Sequence, residues 1–186
     1  MPEPAVGPVV LDAADLNRAL TRISHEIIES ARGADDLIIL GIPTRGAVLA
    51  HRLAERISAA EGLAVPSGSV DVTMYRDDLN MRPARAVGKT VIPSRGVDGK
   101  TVVLVDDVLF SGRTVRAALD AIHDIGRPRA VRLAVIVDRG HRELPIRADH
   151  VGKNLPTHIG ESVRVRLSEI DGQDEIVLLR EGEAQS

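Results

Sequence analysis

Residues 37–42 are short and apolar on both faces, and residues 101–105 and 131–137 read as further strands, apolar but for Thr101 and Arg132. A strand buried on both sides belongs inside a parallel sheet, where helices cover both surfaces. The segments between these stretches agree. Residues 47–60 read as a helix, and so do residues 115–125, which Gly126 and Pro128 stop. Strands alternating with helices predict an α/β fold, a parallel sheet with right-handed crossovers flanked by helices. In such sheets ligands bind outside the carboxyl ends of the strands, so those ends are where chemistry is sought.

The remaining segments fill in the plan. Residues 1–10 are proline-rich and expected as a disordered lead-in, with a single domain over residues 11–180 and a polar tail over residues 181–186. Asp12 is a good N-cap for a helix running to about Ala31 and stopped by Gly33. Leu16, Leu20, Ile23 and Ile27 form its apolar stripe, and Arg18, Arg22, His25, Glu29 and Arg32 lie on the opposite face. Val70, Val72 and Met74 alternate with polar neighbours as a further strand would. Residues 76–99 form a long charged loop, a length that is normally functional or disordered. Residues 163–167 and 176–179 flank Asp171-Gly172, expected as a hairpin turn in a small C-terminal hood.

Composition closes several doors. No cysteine is present, which excludes disulfides, thiolate metal sites and cysteine nucleophiles. Tyr75 and Phe110 are the only aromatic residues, too few to stack single-stranded bases. The net charge of −3 means that a polyanion must meet a local basic patch. No apolar run approaches a membrane span, so the chain is expected to be cytoplasmic with no membrane partner.

The segment that carries the chemistry begins in the strand at residues 102–105. Asp106 and Asp107 end that strand, and Val108, Leu109, Phe110, Ser111, Gly112, Arg113 and Thr114 turn into a helix. A helix start presents unpaired N–H groups and a positive dipole end, suited to a phosphate dianion. Gly112 admits close approach, Ser111 and Thr114 bring hydroxyls, and Arg113 brings charge. Two adjacent carboxylates are natural acceptors for the vicinal hydroxyls of a sugar. Together they describe a sugar-phosphate site. Gly88-Lys89-Thr90 and Gly99-Lys100-Thr101 only mimic the end of a P-loop, because Pro83 and Ser94 stand where its first glycine belongs.

This segment resembles the phosphoribosyl pyrophosphate signature of the type I phosphoribosyltransferases. The resemblance implies that Asp106 and Asp107 hold ribose hydroxyls and that residues 108–114 wrap the 5′-phosphate. It also implies a Mg2+ ion chelated mainly by the substrate rather than by a protein metal site. Thr44 and Arg45, ending the first strand, would grip pyrophosphate. Arg76 and Arg85 in the long loop would contact it as it departs, Arg76 as a catalytic residue beside Asp106 and Asp107.

Residues 75–79, Gly126-Arg127-Pro128 and residues 138–145 narrow the match. They are similar to the bifunctional pyrimidine operon regulatory protein/uracil phosphoribosyltransferase family, over about residues 11–179. That family places Arg139 beside uracil, with backbone near Val163 closing the site. The implied reaction converts uracil and phosphoribosyl pyrophosphate to UMP and pyrophosphate. The implied regulation is UMP-dependent binding of a pyrimidine (pyr) leader mRNA, acting by transcription attenuation or on translation. The residues matching its RNA site are Thr21, His25, His141, Arg147 and Lys153, and Arg22 adds charge on the same helix. Ser30 stands where the family has an arginine. A homo-oligomer is expected, of a size that the sequence does not fix. Two alternatives remain open at this stage: transfer to another base without RNA regulation, or an RNA regulator that has lost turnover.

Overall fold

The structure is a computed structural model and describes residues 7–77 and 88–180. Its centre is a parallel sheet of β2 (Leu37–Gly41), β3 (Ser67–Ser69), β4 (Thr101–Leu109), β5 (Ala130–Asp138) and β6 (His150–Asn154), in the order β3-β2-β4-β5-β6. The helices are α1 (Ala13–Ala31), α2 (Arg45–Glu61) and α3 (Arg113–Ile125). A second, antiparallel sheet of β1 (Val9–Leu11), β7 (Glu161–Arg166) and β8 (Glu175–Arg180) has the order β1-β8-β7, and the short helix α4 (Ser168–Asp171) lies between β7 and β8.

Side-chain alternation explains how one sheet carries two cores. Leu37 and Ile39 of β2, with Val103 and Val105 of β4, pack with Leu16, Ile23, Leu49, Leu53 and Ile57 of α1 and α2. Their alternates Ile38, Leu40, Val102 and Leu104 pack with Val115, Ala118 and Ile122 of α3. Each fully buried Leu or Ile contributes about 1.5–3 kcal/mol of transfer free energy. Two aliphatic layers therefore replace the aromatic core that this chain lacks. The Asp12 carboxylate accepts the Asp15 N–H at 2.8 Å and caps α1. Arg32, in the left-handed region, ends it one residue before Gly33.

Five expectations need correction. Residues 9 and 10 are not lead-in: they lie in β1, which pairs with β8. Residues 70–75 are not a strand. The Asp71 carboxylate accepts both the backbone N–H and the hydroxyl of Thr73, at 3.1 and 2.7 Å, which bends the chain into a 3-10 turn at Thr73–Tyr75 and leaves Met74 exposed. Asp171-Gly172 is not a two-residue hairpin turn. The carboxylates of Asp171 and Asp174 accept the N–H groups of Leu167 and Ser168, winding the connection into α4. Finally, Asp106 and Asp107 do not end their strand, because β4 pairs with β5 as far as Leu109, and β6 is an additional strand on the edge beside β5. Among the described residues no helix is long and apolar enough to cross a membrane.

Candidate active site

The carboxyl ends of β2, β4 and β5 build the site. β4 runs past its buried half to Leu109 and delivers Asp106, which is buried, and Asp107, which is half-buried, to the sheet edge. Each acid steadies the residue after it. Asp106 accepts the Asp107 N–H at 3.0 Å, and Asp107 accepts the Val108 N–H at 2.8 Å. The chain then turns through Phe110 and Ser111 to Gly112, the N-cap of α3, at φ 92°, where an L side chain would be strained. Gly112 has no side chain with which to cap α3, and although Ser111 Oγ accepts the Arg113 N–H at 3.3 Å, the next N–H groups of the first turn stay available to an anion.

Outside the turn the loop after β5 holds it in shape. The Ser111 carbonyl accepts the N–H groups of Glu143 and Leu144 at 2.9 and 3.2 Å. Arg142 donates to the Phe110 and Ile146 carbonyls, each at 2.8 Å, and pairs with Asp138. Sequence reasoning passed over Arg142. Its one available signal was the acid four residues before it, at a strand end. Arg113, at the start of α3, has acidic partners. Its guanidinium is paired with Asp77 at 2.7 Å and with Glu143, so its charge is met by carboxylates. Hydrogen bonding to Glu143 and the field of Asp77 raise its pKa further above the usual arginine range.

The end of β2 lies against the end of β4. Gly41 pairs with Val105, and the Ile42 N–H donates to the Val105 carbonyl at 2.9 Å. A Cβ on Gly41 would come within 2.1 Å of the Gly46 carbonyl oxygen, so only glycine lets the 43–46 loop fold back. The Pro43–Thr44 peptide is cis. Thr44 is exposed, and Arg45 opens α2 with one ion pair, to Asp171 at 2.7 Å. Arg76 follows the 3-10 turn, half-buried, and Arg85 lies outside the described residues.

Arg139 follows β5 and is buried. Its Cζ sits 4.2 Å from the centre of the Phe110 ring, and Nε donates to Thr157 Oγ1 at 3.0 Å. Nη2 donates to the Glu161 carbonyl, two residues before Val163 on β7. Burial lowers its pKa from the usual arginine value. Arg139, the turn residue Phe110 and the strand of Val163 are thus brought together. His141 joins them, with its ring 5.9 Å from that of Phe110 and Nε2 2.6 Å from the Thr157 carbonyl.

The residues expected to contact RNA divide. Thr21, Arg22 and His25 are exposed on α1. Arg22 donates to the carbonyls of Val151 and Gly152, which ties this face to β6 beside Lys153. Arg147 is exposed in the segment leading into β6, whereas His141 belongs to the Arg139 cluster. Ser30 contacts His150, with Oγ 3.5 Å from Nε2.

A family model described as the phosphoribosyl transferase domain matches residues 10–170. The bifunctional protein PyrR of Streptomyces coelicolor is 64% identical over 169 residues, covering 91% of this chain and 88% of that protein. The bifunctional protein PyrR of Leifsonia xyli is 66% identical over 175 residues, covering 91% and 95%. The structure of the hypoxanthine phosphoribosyltransferase of Trypanosoma cruzi matches with a TM-score of 0.71 at 16% identity, covering 94% of this chain and 97% of that one. The last likeness is one of fold.

Proposed function

This chain belongs to the phosphoribosyl transferase domain family and, within it, to the bifunctional PyrR proteins, and from that premise we propose that it is a uracil phosphoribosyltransferase that also regulates pyrimidine genes through leader mRNA. One observation carries the enzymatic half. β4 delivers Asp106 and Asp107 to the carboxyl end of the sheet just before α3, whose N-cap is Gly112, with the end of β2 hydrogen-bonded alongside. In this reading Asp106 and Asp107 accept the ribose hydroxyls of phosphoribosyl pyrophosphate, and residues 108–114 hold its 5′-phosphate. Thr44, Arg45 and Arg76 face the diphosphate.

Uracil lies by Arg139, whose guanidinium is preset by Thr157, Glu161 and the Phe110 ring. The ring nitrogen bonds to the anomeric carbon and gives up its proton, while the bond from that carbon to diphosphate breaks and diphosphate leaves with the electron pair. The chain's contribution is orientation and charge placement. Adjacent carboxylates beside a sugar diol suit a Mg2+ ion that arrives on the substrate, with Asp106 and Asp107 bordering it. Such an ion would neutralise the departing diphosphate. Turnover is tested by mixing the protein with phosphoribosyl pyrophosphate, Mg2+ and each base, and following pyrophosphate. Release with uracil is expected, and release with hypoxanthine but not uracil would contradict the assignment.

Arg139→Lys replaces a planar fork with a point charge and should raise the KM for uracil about tenfold, equivalent to about 1.4 kcal/mol. Steady-state kinetics at saturating phosphoribosyl pyrophosphate would measure this, and an unchanged KM would move uracil elsewhere. For the regulatory half, α1 and β6 present Thr21, Arg22, His25 and Lys153 together, with UMP-bound protein as the binding form. Lys153→Ala should weaken leader RNA binding at every sequence and reduce the salt slope by about one. Filter retention across a salt series reads it, and an unaltered slope would remove Lys153 from the interface. The reaction's soluble substrates suit a cytoplasmic protein, and a homo-oligomer is part of the same proposal.

A further inference from the structure

We propose that Asp171, in the hood of β7, α4 and β8, is a positioning residue that holds Arg45 ready for the diphosphate group of the substrate. The inference rests on the function proposed above, because it assumes that diphosphate meets the 43–46 loop.

Arg45 is the first residue of α2, adjacent to Thr44, yet its ion-pair partner lies 126 positions further along the chain. Nη2 donates to Asp171 Oδ1 at 2.7 Å. Nε is buried and has no hydrogen-bond partner among the described residues. A buried donor without an acceptor costs stability, and such groups in native proteins call for an explanation. A ligand oxygen supplied during turnover provides one. Arginine is suited to the task, since its fork can keep one contact to a carboxylate while another donor meets a phosphate oxygen.

Asp171 is well placed to fix that fork. Its second oxygen, Oδ2, accepts the Leu167 N–H at 2.9 Å, so both carboxylate oxygens are engaged. Although partial burial opposes ionisation, the Leu167 N–H and Arg45 outweigh it and hold the carboxyl below the usual range. The platform beneath it is anchored separately. Arg52 of α2 donates to Glu169, Asp174 and Ser168 at 2.8, 2.9 and 3.0 Å. Among the described residues α4 is therefore tied to α2 through Arg52 and through Arg45, and of these only the Arg45–Asp171 tie reaches the diphosphate loop.

The test uses inorganic pyrophosphate with Mg2+, titrated calorimetrically into the full chain, together with steady-state kinetics. Asp171→Asn offers one oxygen where the carboxylate uses two. It is expected to raise the pyrophosphate dissociation constant and the KM for phosphoribosyl pyrophosphate about fivefold, leaving the KM for uracil within about twofold. Asp174→Asn loosens the same helix through Arg52 and should leave pyrophosphate affinity within about twofold. In an Arg45→Gln background, Asp171→Asn should have no further effect. If Asp171→Asn does not fold, Asp171→Ser carries the same expectation.

Equal pyrophosphate affinity in wild type and Asp171→Asn overturns the inference and leaves the proposed function standing. So does an equal loss in Asp174→Asn, or an undiminished loss in the Arg45→Gln background. Failure of the wild-type protein to bind pyrophosphate at all overturns both.

Discussion

Replacing Asp106 and Asp107 together with asparagine is expected to lower kcat/KM for phosphoribosyl pyrophosphate about a thousandfold, with the fold intact. Hydrogen bonds to charged groups contribute about 1.5–3 kcal/mol each, and two of them removed from one sugar amount to about 4 kcal/mol, close to three decades in rate. The fold should persist because the contact that each acid makes to the residue after it, to the Asp107 and Val108 N–H groups, is an acceptor contact. An asparagine carbonyl oxygen can keep either. The thermal midpoint is therefore expected to move by no more than about 2 °C. Steady-state kinetics paired with a melting curve measures both halves. A loss of less than tenfold would remove the acids from the sugar, and a large fall in the midpoint would make them structural.

Gly41→Ala should act through the backbone alone. The added methyl would meet the Gly46 carbonyl oxygen at 2.1 Å, its carbon at 2.3 Å and the Ala47 nitrogen at 2.4 Å. None of these is the tip of a flexible side chain, so the 43–46 loop and the start of α2 must lift. Overpacking of this kind costs about 3 kcal/mol, which for a domain of this size lowers the midpoint by about 6–12 °C. The lifted loop should also raise the KM for phosphoribosyl pyrophosphate about tenfold, through about 1.4 kcal/mol of lost contacts. A variant with the wild-type midpoint would mean that the loop has slack not visible in this packing.

What was legible in the sequence follows from burial. β2, β4 and β5 are buried on both faces, so their runs of Ile, Leu and Val are continuous and hard to mistake. The same geometry made the sugar-phosphate segment readable, because acids directly after such a run must stand towards the carboxyl end of the sheet. β6 escaped notice because it is an edge strand that grows more exposed towards Asn154, and β1 because it is so short. The alternation of Val70 and Val72 was real as burial, since both are buried. It failed as a strand signal because the Asp71 side chain bends the backbone. The roles of Arg142 and Asp171 depend on partners many positions away. Spacing along the chain carries no trace of such contacts.

The most direct measurement is a crystal structure of the protein with UMP. Its 5′-phosphate is expected against the backbone N–H groups of residues 108–114, with the ribose hydroxyls on Asp106 and Asp107. UMP seated elsewhere, with that turn empty, would contradict the assignment of the ribose phosphate to the tip of β4.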